Sequence, residues 1–171
     1  RLGGGVCCYV RTDISPRLLE PPVANLHSFE VLWVSLRPKV LPRPVSIVIV
    51  LVVYVPPWYD VALKRSLADY IVSCVDYFNS VYFNVFFLMT GDYNSLETSF
   101  FSRKLHLKQV VTGKTRGNNT LVKIFTNFPE FYLSSEILPP LGRSDHNNVR
   151  RRVFFLNESM TALVAIWLAA I

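Results

Sequence analysis

Residues 45–55 read VSIVIVLVVYV and stop at Pro56-Pro57. The run is 11 residues long, too short for a bilayer span of about 20 residues. It is dominated by Val and Ile, which fits a strand buried on both faces. Immediately downstream, Leu63, Leu67, Tyr70, Ile71, Cys74, Val75 and Phe78 fall at helical spacing and form one apolar stripe. Asp60 is placed to cap that helix. Residues 84–90 then read as a second strand, closed by Gly91. Strand, helix and strand with short links make a crossover unit, which predicts parallel strands. Tyr54 ends the first strand and Asp92 lies just past the second. Parallel pairing therefore brings both to one sheet edge, where open α/β sheets bind ligands.

Working outward, residues 5–11 and 29–36 read as further strands. Pro38, Pro42 and Pro44 end the second of these and force a turn. A loop-rich stretch runs from Asn94 to about Arg103. Strands are expected at 107–111, 121–126, near 132–136 and at 149–156. Pro139-Pro140-Leu141-Gly142 makes a turn. Many strands with few helices predict the α+β class, a two-layer β-sandwich flanked by helices.

The chain has 171 residues, a single-domain length, with 51% hydrophobic and 18% charged residues, so global disorder is excluded. A net charge of +6 favours an anionic partner such as nucleic acid. Short basic patches carry it: Arg37/Lys39/Arg43, Lys104/Lys108, Lys114/Arg116 and Arg150/Arg151/Arg152. Cys7, Cys8 and Cys74 lack a second spaced pair for zinc, so they read as reduced, mostly buried thiols of an intracellular protein. No signal peptide is legible, and the opening at Arg1 followed by Gly3-Gly4-Gly5 suggests that an amino-terminal segment precedes the sequence. The apolar run 160–171 is again short for a membrane span, and no membrane partner is expected.

Three motifs could carry chemistry. Gly91-Asp92-Tyr93-Asn94 sets a carboxylate and an amide two residues apart, facing one way if the chain stays extended. The carboxylate can take a proton from water or bind a hard cation, and the amide can donate to phosphate. Taken alone, the tetrapeptide is equally an Asx-type turn. Ser144-Asp145-His146 sets a histidine beside an acid, a pairing useful for phosphate chemistry and also common in a capped surface turn. Tyr54 before Pro56-Pro57 is a reacting-edge phenol or a packed aromatic with a wet hydroxyl.

In order along the chain, Tyr-x-Pro, Gly-Asp-x-Asn and Ser-Asp-His resemble the endonuclease/exonuclease/phosphatase superfamily. The connecting text FEVLWVSLRPKVLPRPVSIVIVLVVYVPP (29–57), LKQVVTGKTRGNNTLVKIFTN (107–127) and LPPLGRSDHNNV (138–149) resembles its non-LTR retrotransposon branch. The likeness covers residues 3–149, a partial domain, and leaves 150–171 as an unassigned basic and apolar tail. It implies an incomplete copy of that superfamily's fold and a DNA endonuclease that cleaves phosphodiesters with Mg²⁺ or Mn²⁺. Within it, Asp92 resembles the acid that orients or deprotonates water. Asn94 resembles a transition-state donor, and Tyr54 the tyrosine near the scissile phosphate. His146 resembles the phosphoryl-contacting histidine. Asp145 resembles the neighbouring acid that also serves the metal, with Ser144 and Thr115 in supporting positions.

Two departures accompany the likeness. The family's amino-terminal Asn and metal-binding Glu fall upstream of Arg1, and Glu20 and Glu30 come too late in the chain to replace them. Val122 stands where the family pattern has an aspartate that supports the histidine, and valine can neither accept a hydrogen bond nor carry charge. The resulting expectation is a DNA-directed nuclease, intracellular with the nucleus included, of impaired activity and weakened metal binding. The alternatives are a catalytically dead remnant that binds nucleic acid non-specifically and a phosphatase-type member of the superfamily. No protein partner is inferable.

Overall fold

The computed structural model describes residues 5–39, 41–131, 136–140, 147–150, 152–154 and 161–163. It is an α+β structure with two α-helices and a six-stranded mixed sheet. The strands are β1 (Ser15–Leu19), β2 (Glu30–Arg37), β3 (Ile47–Tyr54), β4 (Val85–Asp92), β5 (Lys108–Gln109) and β6 (Val122–Thr126). Their order across the sheet is β1-β2-β3-β4-β6-β5. Helix α1 (Val61–Val81) crosses from β3 to β4, and those two strands pair parallel as the crossover pattern predicts. Every other pair in the sheet is antiparallel.

The central strand has both faces covered, the condition its unbroken apolar sequence calls for. Ile47, Ile49, Leu51, Val53 and Val55 join one buried cluster with Leu67, Ile71, Cys74, Val75 and Phe78 of α1. The alternate residues Val48, Val50 and Val52 join a second cluster with Val34, Phe86, Leu88, Val122 and Ile124 on the opposite face. Ile137 and Val149 pack there too, from the antiparallel ribbon of β7 (Glu136–Leu138) and β8 (Asn148–Arg150). A further pair, β9 (Arg152–Phe154) with β10 (Thr161–Leu163), lies within the carboxyl-terminal tail. Asp60 caps α1 by accepting from the Leu63 N–H at 2.7 Å. Asn127 extends the β4–β6 pairing with its side chain, accepting from Phe87 N (2.9 Å) and donating to Val85 O (2.7 Å).

Three expectations need correction. Residues 5–11 form no ladder. Val6, Cys8 and Val10 do alternate inward against the second cluster, so the periodicity reported burial and not pairing. The edge strand is instead β1, which contains Pro16; an edge position tolerates proline because one side of the strand needs no donor. The stretch after Asn94 is not all loop, since it holds α2 (Ser99–Leu105). A helix of 7 residues shows too little period to read and is marginal alone. Burial of Phe100 and Phe101 holds it, with Phe101 set against Phe125 and Tyr93. The strand expected at 107–111 shortens to the two residues of β5, while the described residues of 149–156 lie in β8 and β9. The one near 132–136 falls largely on residues outside those described; β7 begins at Glu136.

The thiols divide by environment. All three are free; Cys74 is buried, Cys8 half-buried and Cys7 exposed, so only one of the three is fully enclosed. Burial pushes the Cys74 thiol up to about 11, which makes it a poor nucleophile at neutral pH. No helix among the described residues is long and apolar enough to cross a membrane.

Tyr93 tests the packing. Its ring is fully buried, its hydroxyl has no hydrogen-bond partner among the described residues, and burial pushes the phenol up. An unsatisfied buried hydroxyl costs about 1–3 kcal/mol. Tyr93→Phe should therefore raise stability by about 1 kcal/mol, or a few degrees of Tm in a thermal melt. A lower Tm would mean that the hydroxyl does useful bonding.

Candidate active site

Register, more than motif, builds the site. Tyr54 pairs with Asp92 across the parallel β3–β4 ladder. Glu30 pairs with Tyr54 across β2–β3, and Asp92 with Val122 across β4–β6. Paired residues share a face of the sheet, so Glu30, Tyr54, Asp92 and Val122 form one row at the carboxyl edge of β3 and β4. They project on the side away from the helices, the side of Val48, Val50 and Val52.

Asp92 is buried at 6% exposure, yet its carboxylate is well supplied with donors. Asn94 donates its backbone N–H to Oδ1 and its side-chain Nδ2 to Oδ2, both at 3.1 Å. The same Nδ2 donates to Val55 O at 2.7 Å. The segment does not stay extended: Asn94 has φ +43°, a left-handed conformation that asparagine tolerates. That turn folds the amide back onto the carboxylate and ties β4 to the end of β3. The Asx-type turn and the paired carboxylate and amide are thus one structure. Both Nδ2 protons have acceptors here, so Asn94 acts on Asp92 first, as a positioning residue.

Tyr54 is half-buried, and its phenol is held above its ordinary range. Burial is the main cause, the Asp92 and Glu30 carboxylates add to it, and Arg116 opposes it. A phenol flanked by two acids stays protonated at neutral pH and serves as a donor. Glu30 and Arg116 are the members that motif reading passed over. Glu30 opens β2, and only the β2–β3 register sets it beside Tyr54.

Thr115 is fully buried and anchors the loop before β6. Its Oγ1 accepts from the N–H groups of Leu121 (2.8 Å) and Val122 (3.0 Å). Its carbonyl accepts from the N–H of Asn147 at 2.8 Å, the residue that follows Ser144-Asp145-His146. Ser144, Asp145 and His146 themselves lie outside the described residues. The supporting position read for Thr115 is therefore structural, through backbone donors on both sides. Val122 is buried at 6% and directly opposes Asp92.

No three His, Cys, Asp or Glu side chains among the described residues converge, and the Tyr54 column lies between Glu30 and Asp92. The arrangement can hold a fixed, desolvated carboxylate beside a protonated phenol and a nearby guanidinium. Such a set can accept a proton from water and donate to an anionic oxygen. No protein-family model, curated protein or solved structure matches the chain.

The row depends on close approach of the two parallel strands at Gly91. A Cβ there would fall onto the Val53 carbonyl oxygen and within 2.7 Å of Val53 Cγ1. Gly91→Ala should cost about 3 kcal/mol and disturb the Tyr54–Asp92 register. At Gly113 an added Cβ meets only the Ile137 side chain, at 2.7 Å, which can turn aside, so Gly113→Ala should cost less. Urea unfolding of both variants checks the order; equal midpoints would refute it.

Proposed function

We propose that the chain is a DNA endonuclease domain of retrotransposon origin that hydrolyses phosphodiesters and is impaired in this copy. The observation that carries the reading is the in-register pairing of Tyr54 with Asp92 at one strand edge, with Asn94 clamping the carboxylate. In this reading the six-stranded sheet is one layer of the superfamily's two-layer sandwich. Asp92 takes the proton of the attacking water. Tyr54 donates to a phosphoryl oxygen. His146, with Asp145 and Ser144 beside it, supplies further donors, and Thr115 fixes the chain that follows them through Asn147.

Mg²⁺ or Mn²⁺ enters through the resemblance, with Asp145 as the ligand it implies. Among the described residues Asp92 is the carboxylate that lies in the row, while Asp145 lies outside them. No step of the mechanism is routed through the ion.

Supercoiled plasmid supplies the test. The chain at high concentration with millimolar Mg²⁺ should convert it slowly to the nicked form, and Asp92→Ala should abolish nicking. Absence of nicking by the parent chain sinks the catalytic reading. Salt-sensitive binding without nicking would instead leave a remnant that only binds DNA.

That second reading is favoured by Val122, because an apolar side chain sits where a partner for the reacting groups is expected. Restoring the carboxylate should separate the two. Val122→Asp buries a second carboxylate directly opposite Asp92, which costs stability by about 3–5 kcal/mol. If the catalytic reading holds, the same change should raise the nicking rate at least tenfold, in line with the ~10–100-fold effects of orienting groups. A variant that melts lower and nicks no faster would count against a catalytic role for this row.

A further inference from the structure

Residues 5–10 read GVCCYV and lie across the second cluster as a strap that the sheet does not use. Val6, Cys8 and Val10 pack inward, while Cys7 and Tyr9 face water, and Tyr9 is 73% exposed. Burial that alternates residue by residue is the mark of an extended chain. Among the described residues, 5–10 make no hydrogen bond; the first backbone bond in this part of the chain joins the N–H of Ile14 to Arg11 O at 3.0 Å. An extended segment anchored by every second side chain, with its N–H and C=O groups left to water, is an open strand edge.

The two edges of the six-stranded sheet are closed to further pairing. β1 carries Pro16, which has no N–H, and Arg17. β5 is 2 residues long and begins with Lys108. Proline, charge and shortness are the devices that keep an edge from joining another chain. The strap has no proline and no charge, and Val, Cys and Tyr make up five of its six residues. Short windows of β-forming residues without charge or proline pair with their own kind. Arg11, the first charged residue beyond the strap, donates from Nε to Asp13 Oδ1 at 2.8 Å, so the charge at that end is offset.

We infer that residues 5–10 are the seam of a two-fold symmetric dimer, in which the strap of one copy pairs antiparallel with the strap of a second copy. Composition selects the second copy as occupant, since an uncharged strip offers nothing to a charged partner and matches itself. The pairing that overlaps residues 6–10 fully sets Cys8 opposite the partner's Cys8, Val6 opposite the partner's Val10 and Cys7 opposite the partner's Tyr9. Facing residues share one side of a ladder. Val6, Cys8 and Val10 therefore keep their inward contacts, while Tyr9 covers the partner's Cys7 on the outer side. The seam supplies the backbone bonds that the strap lacks within one chain. A net charge of +6 on each copy opposes association, so salt strengthens the dimer. The inference stands apart from the nuclease reading.

Sedimentation of the full, reduced chain over a concentration series reaching the millimolar range should show a monomer–dimer equilibrium that tightens as salt is raised. Tyr9→Lys sets an ammonium at the outer side of the seam twice per dimer and should weaken association about tenfold. Tyr9→Thr keeps a strand-forming residue and should retain it. Because Tyr9 is exposed, dilute samples of all three should share one melting curve, which separates association from folding. Disulfide trapping with diamide then checks the register. Cys7 is exposed, whereas burial, and Cys7 after it, holds the Cys8 thiol above its ordinary range. Random collision therefore favours cross-linking through Cys7. In the seam only Cys8 lies opposite its own counterpart, within reach of a disulfide, so Cys7→Ser should cross-link faster than Cys8→Ser. A monomer throughout the series, association unchanged by Tyr9→Lys, or faster cross-linking through Cys7 overturns the inference.

Discussion

The parallel pairing of β3 with β4 is the constraint on which the rest of the molecule depends. It sets Tyr54 opposite Asp92, and it can do so because Gly91 has no side chain to push the strands apart. Side chains alternate along a strand, so a slip of one residue would send Asp92 to the helix face and bring Tyr93 out of the core. Such a slip is costly. Tyr93 fills the space between Phe101 and Phe125 with edge-to-face contacts at 5.5 and 5.4 Å. The packing of one residue thus fixes the chemistry of the next.

The clamp by Asn94 adds a second layer of control. A carboxylate buried to 6% exposure loses much of its hydration, and an unpaired one would be driven toward the neutral acid. Donors from Asn94 to both oxygens supply what water does elsewhere. The same amide bonds to Val55 O, so the orientation of Asp92 and the closure of the two strand ends are one event. Loss of the side chain at 94 would then be felt as disorder of the carboxylate, whether or not Asn94 touches a ligand.

The parts of this arrangement differ in how far they can be read from sequence. The unbroken Val/Ile run of β3 and the helical stripe of α1 carry strong periodic signals, and the parallel order of β3 and β4 follows from them. The alternation of Val6, Cys8 and Val10 carries an equally regular signal with a different meaning, since inward packing needs no ladder partner. Helix α2 is held by Phe100 and Phe101 against the sheet and has almost no local signature. The site follows the same division. Asp92, Asn94 and Tyr54 lie in short motifs, whereas Glu30 and Arg116 join only through register and loop placement, which no local pattern encodes.

Charge balance along the row then bears on what the edge can hold. Glu30 and Asp92 both act on Tyr54, and Arg116 opposes them. Burial first, and the two acids after it, hold the phenol protonated, which suits donation to an anion, but the acids also repel that anion. Offsetting the repulsion takes positive charge that approaches with the ligand or is already fixed at the edge. Arg116 acts on Tyr54 from the loop before β6, and Lys64, in the first turn of α1, donates to Ser95 Oγ beyond the end of β4. Val122 faces Asp92 with an apolar side chain and adds no negative charge to the row. Under the proposed nuclease reading, a carboxylate at this position would add to the repulsion of a phosphate and would also supply a group to orient the reacting side chains. In that reading, binding and cleavage would respond to this one side chain in opposite directions, so the proposal admits a chain that keeps the first without the second.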